Sequence, residues 1–125
     1  MNVLSKYVGI GSYHEWEVQE LREDRKFAIE YARVAIEGLN NLEECGGSLL
    51  CLRAVAEAYG GLGAVAAQAG ISRESLYRAL SPKGNPTLKT LVAVLKTVGL
   101  RLTVTPEKPV PARKAKAKKA TVAAR

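Results

Sequence analysis

The sequence predicts a mostly α protein: a small helical bundle containing a helix-turn-helix, with a short C-terminal β-strand and a disordered basic tail. Three observations predict it. Apolar residues recur at helical spacing in several short segments separated by glycine, serine and proline. Two of those segments, within residues 62–80, meet at Gly70 with small and apolar residues where two crossing helices need them. Residues 107–125 are rich in lysine, alanine and proline and hold no large apolar residue except Val110 and Val122, so they cannot bury a core.

Each element follows from its own pattern. Residues 1–12 read as a loose lead-in through Gly9, Gly11 and Ser12. Residues 15 to about 38 predict one amphipathic helix, with Phe27, Tyr31, Val34, Ala35 and Gly38 on its apolar face. Gly38-Leu39-Asn40-Asn41 stops it. Gly46-Gly47-Ser48 reopens the chain with Ser48 as cap, and Leu49, Leu52, Val55, Ala56 and Tyr59 mark the next face. Leu62, Val65, Ala66 and Ala69 form a third helix after Gly60-Gly61. Ser72 caps a fourth, carrying Leu76, Ala79 and Leu80, which Ser81-Pro82 ends. Asn85-Pro86 reads as a cap followed by proline at the first helical position. Leu88, Leu91, Val92, Leu95 and Val98 then line a fifth helix up to Gly99. Leu100–Thr105 alternates apolar and polar, which predicts the strand. These elements divide into a lead and amphipathic helix at 1–45, a helix-turn-helix domain at 46–106 and the tail at 107–125.

Charge separates along the chain. Residues 1–64 carry 6 bases and 10 acids, net −4; residues 65–105 carry 6 bases and 1 acid, net +5; residues 106–125 carry 7 bases and 1 acid, net +6. A basic C-terminal half points to an anionic polymer. No apolar run approaches the roughly 20 residues that span a bilayer, and no secretory signal opens the chain, so a cytoplasmic location and no membrane partner are expected. Cys45 and Cys51 are too few for a disulfide scaffold and lack metal-ligand spacing. With one histidine, His14, and no phosphate-cradling glycine loop, the expectation is no enzyme, no cofactor and no metal.

The informative stretch is Leu62–Leu80. Ala66 is small enough for a close helix crossing, Gly70 tolerates a left-handed backbone, and Val65, Ile71, Leu76 and Leu80 supply the inner faces. Ser72, Arg73, Glu74, Ser75, Tyr77 and Arg78 are then left for the outer face of the second helix. Such a helix fits the DNA major groove, where arginine pairs with guanine, glutamate accepts from cytosine, and serine or tyrosine holds phosphates. Lys83, Asn85 and Lys89 are candidates for the flanking phosphates. An ordinary helical bundle uses similar spacings; the basic skew favours double-stranded DNA as the partner. One recognition helix is a small footprint, so a homodimer reading a palindrome is expected, with Leu100–Thr105 pairing across it.

The run GISRESLYRALSPKGNPTLKTLVAVLKTVGLRLTV resembles the C-terminal half of Xre-type helix-turn-helix antidote proteins of addiction modules, similar to HigA-type antitoxins. Ser-Arg-Glu-Ser-Leu-Tyr, Leu-Ser-Pro-x-Gly-Asn-Pro and Leu-Arg-Leu carry the likeness, together with SYHEW at 12–16. The likeness spans roughly residues 12–106. It implies a transcriptional regulator that neutralises a RelE/HigB-like toxin, an mRNA-cutting nuclease, and represses its own operon. By the same likeness Ser72, Arg73, Glu74, Ser75, Tyr77 and Arg78 become recognition-helix positions. The chain departs from many related repressors in having Leu62-Gly63 where they carry a phosphate-binding polar residue, and in its long Lys/Ala tail. The competing expectations are a stand-alone prophage-type repressor and a nucleoid-associated architectural protein without a toxin partner.

Three further features invite a reading. His14 and Trp16 read as packing of the lead-in, with a toxin-facing anchor as the alternative. Cys45 and Cys51 read as small half-buried residues. The acidic helix carrying Glu20, Glu23, Asp24 and Glu30 reads equally as core-completing or as a toxin-capturing surface.

Overall fold

The computed structural model describes residues 13–107. Six α-helices follow one another there: α1 (Tyr13–Glu23), α2 (Arg25–Gly38), α3 (Leu42–Ala58), α4 (Leu62–Ala69), α5 (Arg73–Ala79) and α6 (Leu88–Lys96).

The single helix predicted for 15–38 is two. Asp24 leaves helical geometry (φ −137°, ψ 98°), and its carboxylate accepts the Phe27 N–H at 3.0 Å. An aspartate side chain competes with the helical backbone and is stable as a cap, so α1 ends and α2 begins there. The inward stripe of α2 is Ala28, Ala32, Ala35 and Gly38. Phe27 and Val34, predicted to face inward, are 42% and 57% exposed, and Tyr31 is half-buried. Small residues let α2 lie close to α3, its main packing partner, and the larger side chains are displaced to the flanks.

The predicted restart at Gly46–Ser48 does not occur. Asn41 caps α3 by accepting the Glu43 N–H at 2.8 Å, and the helix continues unbroken to Ala58. Ser48 is buried within it and caps nothing. Gly46 serves space instead: a methyl group there would sit 2.9 Å from the Pro82 carbonyl oxygen, so the α5–α6 loop can touch α3. Leu49, Leu52, Val55 and Ala56 face the core as expected. The Tyr59 hydroxyl donates to the Leu21 carbonyl at 2.5 Å, joining the end of α3 to α1. α3 runs through position 45/46 and packs on α1 and α2 as well as on α4 and α6.

Leu62, Val65, Ala66 and Ala69 of α4 are buried, as are Leu76 and Leu80 around α5. The cap of α6 is Thr87, whose hydroxyl accepts the Thr90 N–H at 3.1 Å; Asn85 and Pro86 lie in the loop before it. The start shifts because a threonine in extended geometry two residues after Asn85 closes the first turn. Leu88 is consequently 68% exposed, while Ala93, Val94, Leu95 and Val98 are buried.

No strand forms among the described residues. Leu100 and Leu102 pack against the helical core, and Val104 is 93% exposed. The alternation is used against helices, with no partner strand among the described residues to make a ladder. Residues 107–125, predicted disordered, lie outside the described residues apart from Glu107, as does the lead-in at 1–12. No single described helix is long and apolar enough to cross a membrane.

Candidate nucleic-acid interface

The α4–α5 turn is built as the spacing predicts. Gly70 is left-handed (φ 75°, ψ 29°) and its N–H bonds back to Ala67, while the Ile71 N–H bonds to the Ala66 carbonyl at 3.0 Å. This pattern closes α4 and redirects the chain within two residues. Ala66 is 2% exposed, so no larger side chain fits where the two helices are held.

α5 starts at its serine cap. The Ser72 hydroxyl oxygen accepts the Ser75 N–H at 3.0 Å, and Ser72 Oγ also donates to Ser75 Oγ at 3.0 Å. These two hydroxyls therefore serve the helix start, and Ser75 is half-buried. Leu76 and Leu80 point inward with no exposure. That rotation leaves Arg73, Glu74, Tyr77 and Arg78 outside, Tyr77 at 50% exposure. Together with Leu62 of α4 they line a shallow depression of about 290 Å³. Neither arginine forms an ion pair among the described residues, although Glu74 and Arg78 stand four apart on the same helix.

The flanking candidates divide. Lys89, in the first turn of α6, brings its Nζ to 3.3 Å from where a Gly70 methyl would lie, so its ammonium stands beside the turn. Lys83 and Asn85 are exposed on either side of Gly84. Gly84 presses on the Ala79 and Arg78 carbonyls so closely that a Cβ would collide with them, and its N–H bonds to the Ser81 carbonyl at 2.8 Å. Lys83 and Asn85 are thereby kept near the C-terminal end of α5, outside the depression itself. Gly61 precedes α4 without any side-chain cap.

Arg53 of α3 is absent from any sequence pattern yet reaches this surface. Its guanidinium lies 4.3 Å from the Tyr77 ring centroid, and its Nε is buried with no hydrogen-bond partner. Nothing in the local pattern around residue 53 signals this, because the contact is tertiary and joins helices distant in sequence.

The N-terminal cluster is mostly engaged internally. His14 bonds through Nε2 to Glu57 and lies 3.6 Å from Glu17 through Nδ1. The Tyr31 hydroxyl donates to Glu17. Burial, reinforced by this hydrogen bond, pushes the Tyr31 phenol far above its ordinary range; burial also pushes the Cys51 thiol up. The Trp16 and Tyr13 rings lie 5.3 Å apart. Cys45 and Cys51 are half-buried free thiols. Of the four acidic positions named as a capture surface, Asp24 serves as a helix cap and Glu30 pairs with Arg33, whose Nε lies 3.1 Å from both its carboxylate oxygens. That exposed pair holds the Glu30 carboxyl below its usual range.

Comparison with known proteins follows the same span. Residues 13–106 match a family model described as "Probable addiction module antidote protein". An uncharacterized protein of Haemophilus influenzae is 52% identical over 40 residues, 32% of this chain and 41% of that protein's length. No solved structure matches. The family match begins at the first residue of α1 and ends past α6, covering the α4–α5 turn together with the acidic helices. This chain belongs to the addiction module antidote family.

Proposed function

We propose that the chain binds operator DNA sequence-specifically through α4 and α5, acts as a homodimer, and represses the operon encoding it and a RelE/HigB-like toxin that it neutralises. The observation that carries this reading is the outward row on α5. Arg73, Tyr77 and Arg78 stand exposed beside the buried Leu76 and Leu80, with no carboxylate pairing either arginine among the described residues. Unpaired arginines on a short helix that follows a tight turn suit bidentate contacts to guanine. Lys89 beside the turn suits a phosphate, as do the uncapped N–H groups that open α4 in place of a polar side chain. A dimer would set two such helices about 34 Å apart, one DNA turn.

The test is footprinting of the wild-type chain on the DNA upstream of its own gene, with binding of R73A and R78A to the protected duplex. Protection of two half-sites about one turn apart, and a loss of about 1–3 kcal/mol per arginine confined to the matched sequence, support the reading. Equal binding of matched and random duplexes sinks it. That outcome would favour the architectural alternative, which the net +6 of residues 106–125 supports.

A further inference from the structure

Arg53 is a cation with an unusual set of neighbours. It belongs to α3, the central helix, and is half-buried. Its Nε is shielded from solvent and makes no hydrogen bond, and the residue forms no ion pair among the described residues. Its identified charge interaction is with an aromatic face: the guanidinium carbon stands 4.3 Å from the Tyr77 ring centroid. A buried donor without an acceptor is unfavourable, so a role confined to stability would favour a leucine or methionine here. A planar cation on a ring face, in contrast, restricts how that ring can turn.

We propose that Arg53 is a positioning residue of the DNA-reading surface: stacked on Tyr77, it fixes the ring's orientation on α5 and adds positive charge that draws a DNA phosphate. The inference rests on the DNA-binding reading above. Tyr77 is half exposed on a seven-residue helix, so α5 alone leaves its ring free to swing. Arg53 supplies the restraint from a seventeen-residue helix that crosses the core. The same residue lines the groove of about 340 Å³ that also contains Glu17, Tyr31 and Cys51, yet it pairs with none of them. Its charge is therefore left to the α5 side, where Arg73 and Arg78 are also unpaired.

The experiment uses the full chain and a duplex selected by the wild-type protein from a randomised pool. Binding is followed by fluorescence anisotropy across a salt series for wild type, R53A, R53K, Y77A and R53A/Y77A. R53A is expected to bind roughly tenfold more weakly, with the salt slope reduced by about one. R53K is expected to restore the slope but not the full affinity, since it returns the charge without the plane. Y77A should lose less affinity in the R53A background than in wild type, because the pair acts together. In the free protein, the Arg53 Nε–H resonance should lose its ring-current displacement in Y77A. R53A that folds and binds as tightly as wild type overturns the proposal, as do losses that simply add. A wild-type chain that selects no duplex overturns the DNA reading itself, a result distinct from either.

Discussion

Tyr31 and Cys51 give the half-buried side of α2 and α3 a direction in pH. Burial makes both groups hold their protons more tightly in the folded chain, and Tyr31 is further held by donating to Glu17. The unfolded chain releases these protons first as pH rises. The stability they contribute is therefore fully present below the ordinary thiol value of 9.0 and is lost as pH rises through it and through the phenol's 10.0. Urea midpoints measured from about pH 7 upward should stay level and then fall above about pH 9, with the fall reduced in Y31F and C51A. At single positions sterics are as sharp. A66L should destabilise by about 1–3 kcal/mol through overpacking, read as a lowered urea midpoint. G84A should destabilise by more than about 2 kcal/mol, since the added carbon meets backbone carbonyls that cannot swing aside. G70A is expected to be milder, about 1 kcal/mol, because it strains one left-handed residue without a backbone clash.

The helices differ in how far their own residues announce them. α4, the turn and α5 were legible: Gly70, the Ser72 cap and the Leu76/Leu80 stripe are local signals, and the structure keeps all three. The α1–α2 break was not, because Asp24 sits in a charged run that is equally at home on a helix surface. D24A should test it, lowering stability by about 1 kcal/mol and shifting amide protection at Phe27. The inner face of α2 was hidden by its own chemistry. Alanines carry little hydrophobic signal, so Phe27 and Val34 drew the reading toward the wrong side. Gly46-Gly47 looked like a loop because a glycine's spatial use, here room for Pro82, leaves no trace in spacing. The predicted strand is not seen among the described residues: alternation records that one side is covered and not what covers it. The Arg53–Tyr77 contact lies beyond any local pattern, because it joins α3 to α5 across the fold.

Across the whole molecule, acids gather on α1–α3, while Arg73, Arg78, Lys83 and Lys89 gather on α5, the loop and α6. The polarity should orient the chain toward a polyanion with its α5 side leading and its α1–α2 side turned away. If the chain binds DNA as proposed, association should weaken steeply with salt, and charge reversal at Lys89 should lower affinity on all duplexes alike, measured by anisotropy. On the DNA-binding reading proposed above, the same polarity would leave the acidic half accessible to a second partner while DNA occupies the other.

The uninterrupted course of α3 has a mechanical consequence. One rod serves as a wall for α1 and α2 and also for α4 and α6, so neither half keeps its packing when the other melts. Heating should produce one sharp transition, identical by far-ultraviolet dichroism and by Trp16 fluorescence, and a chain cut at position 45/46 should lose both ends of the molecule together.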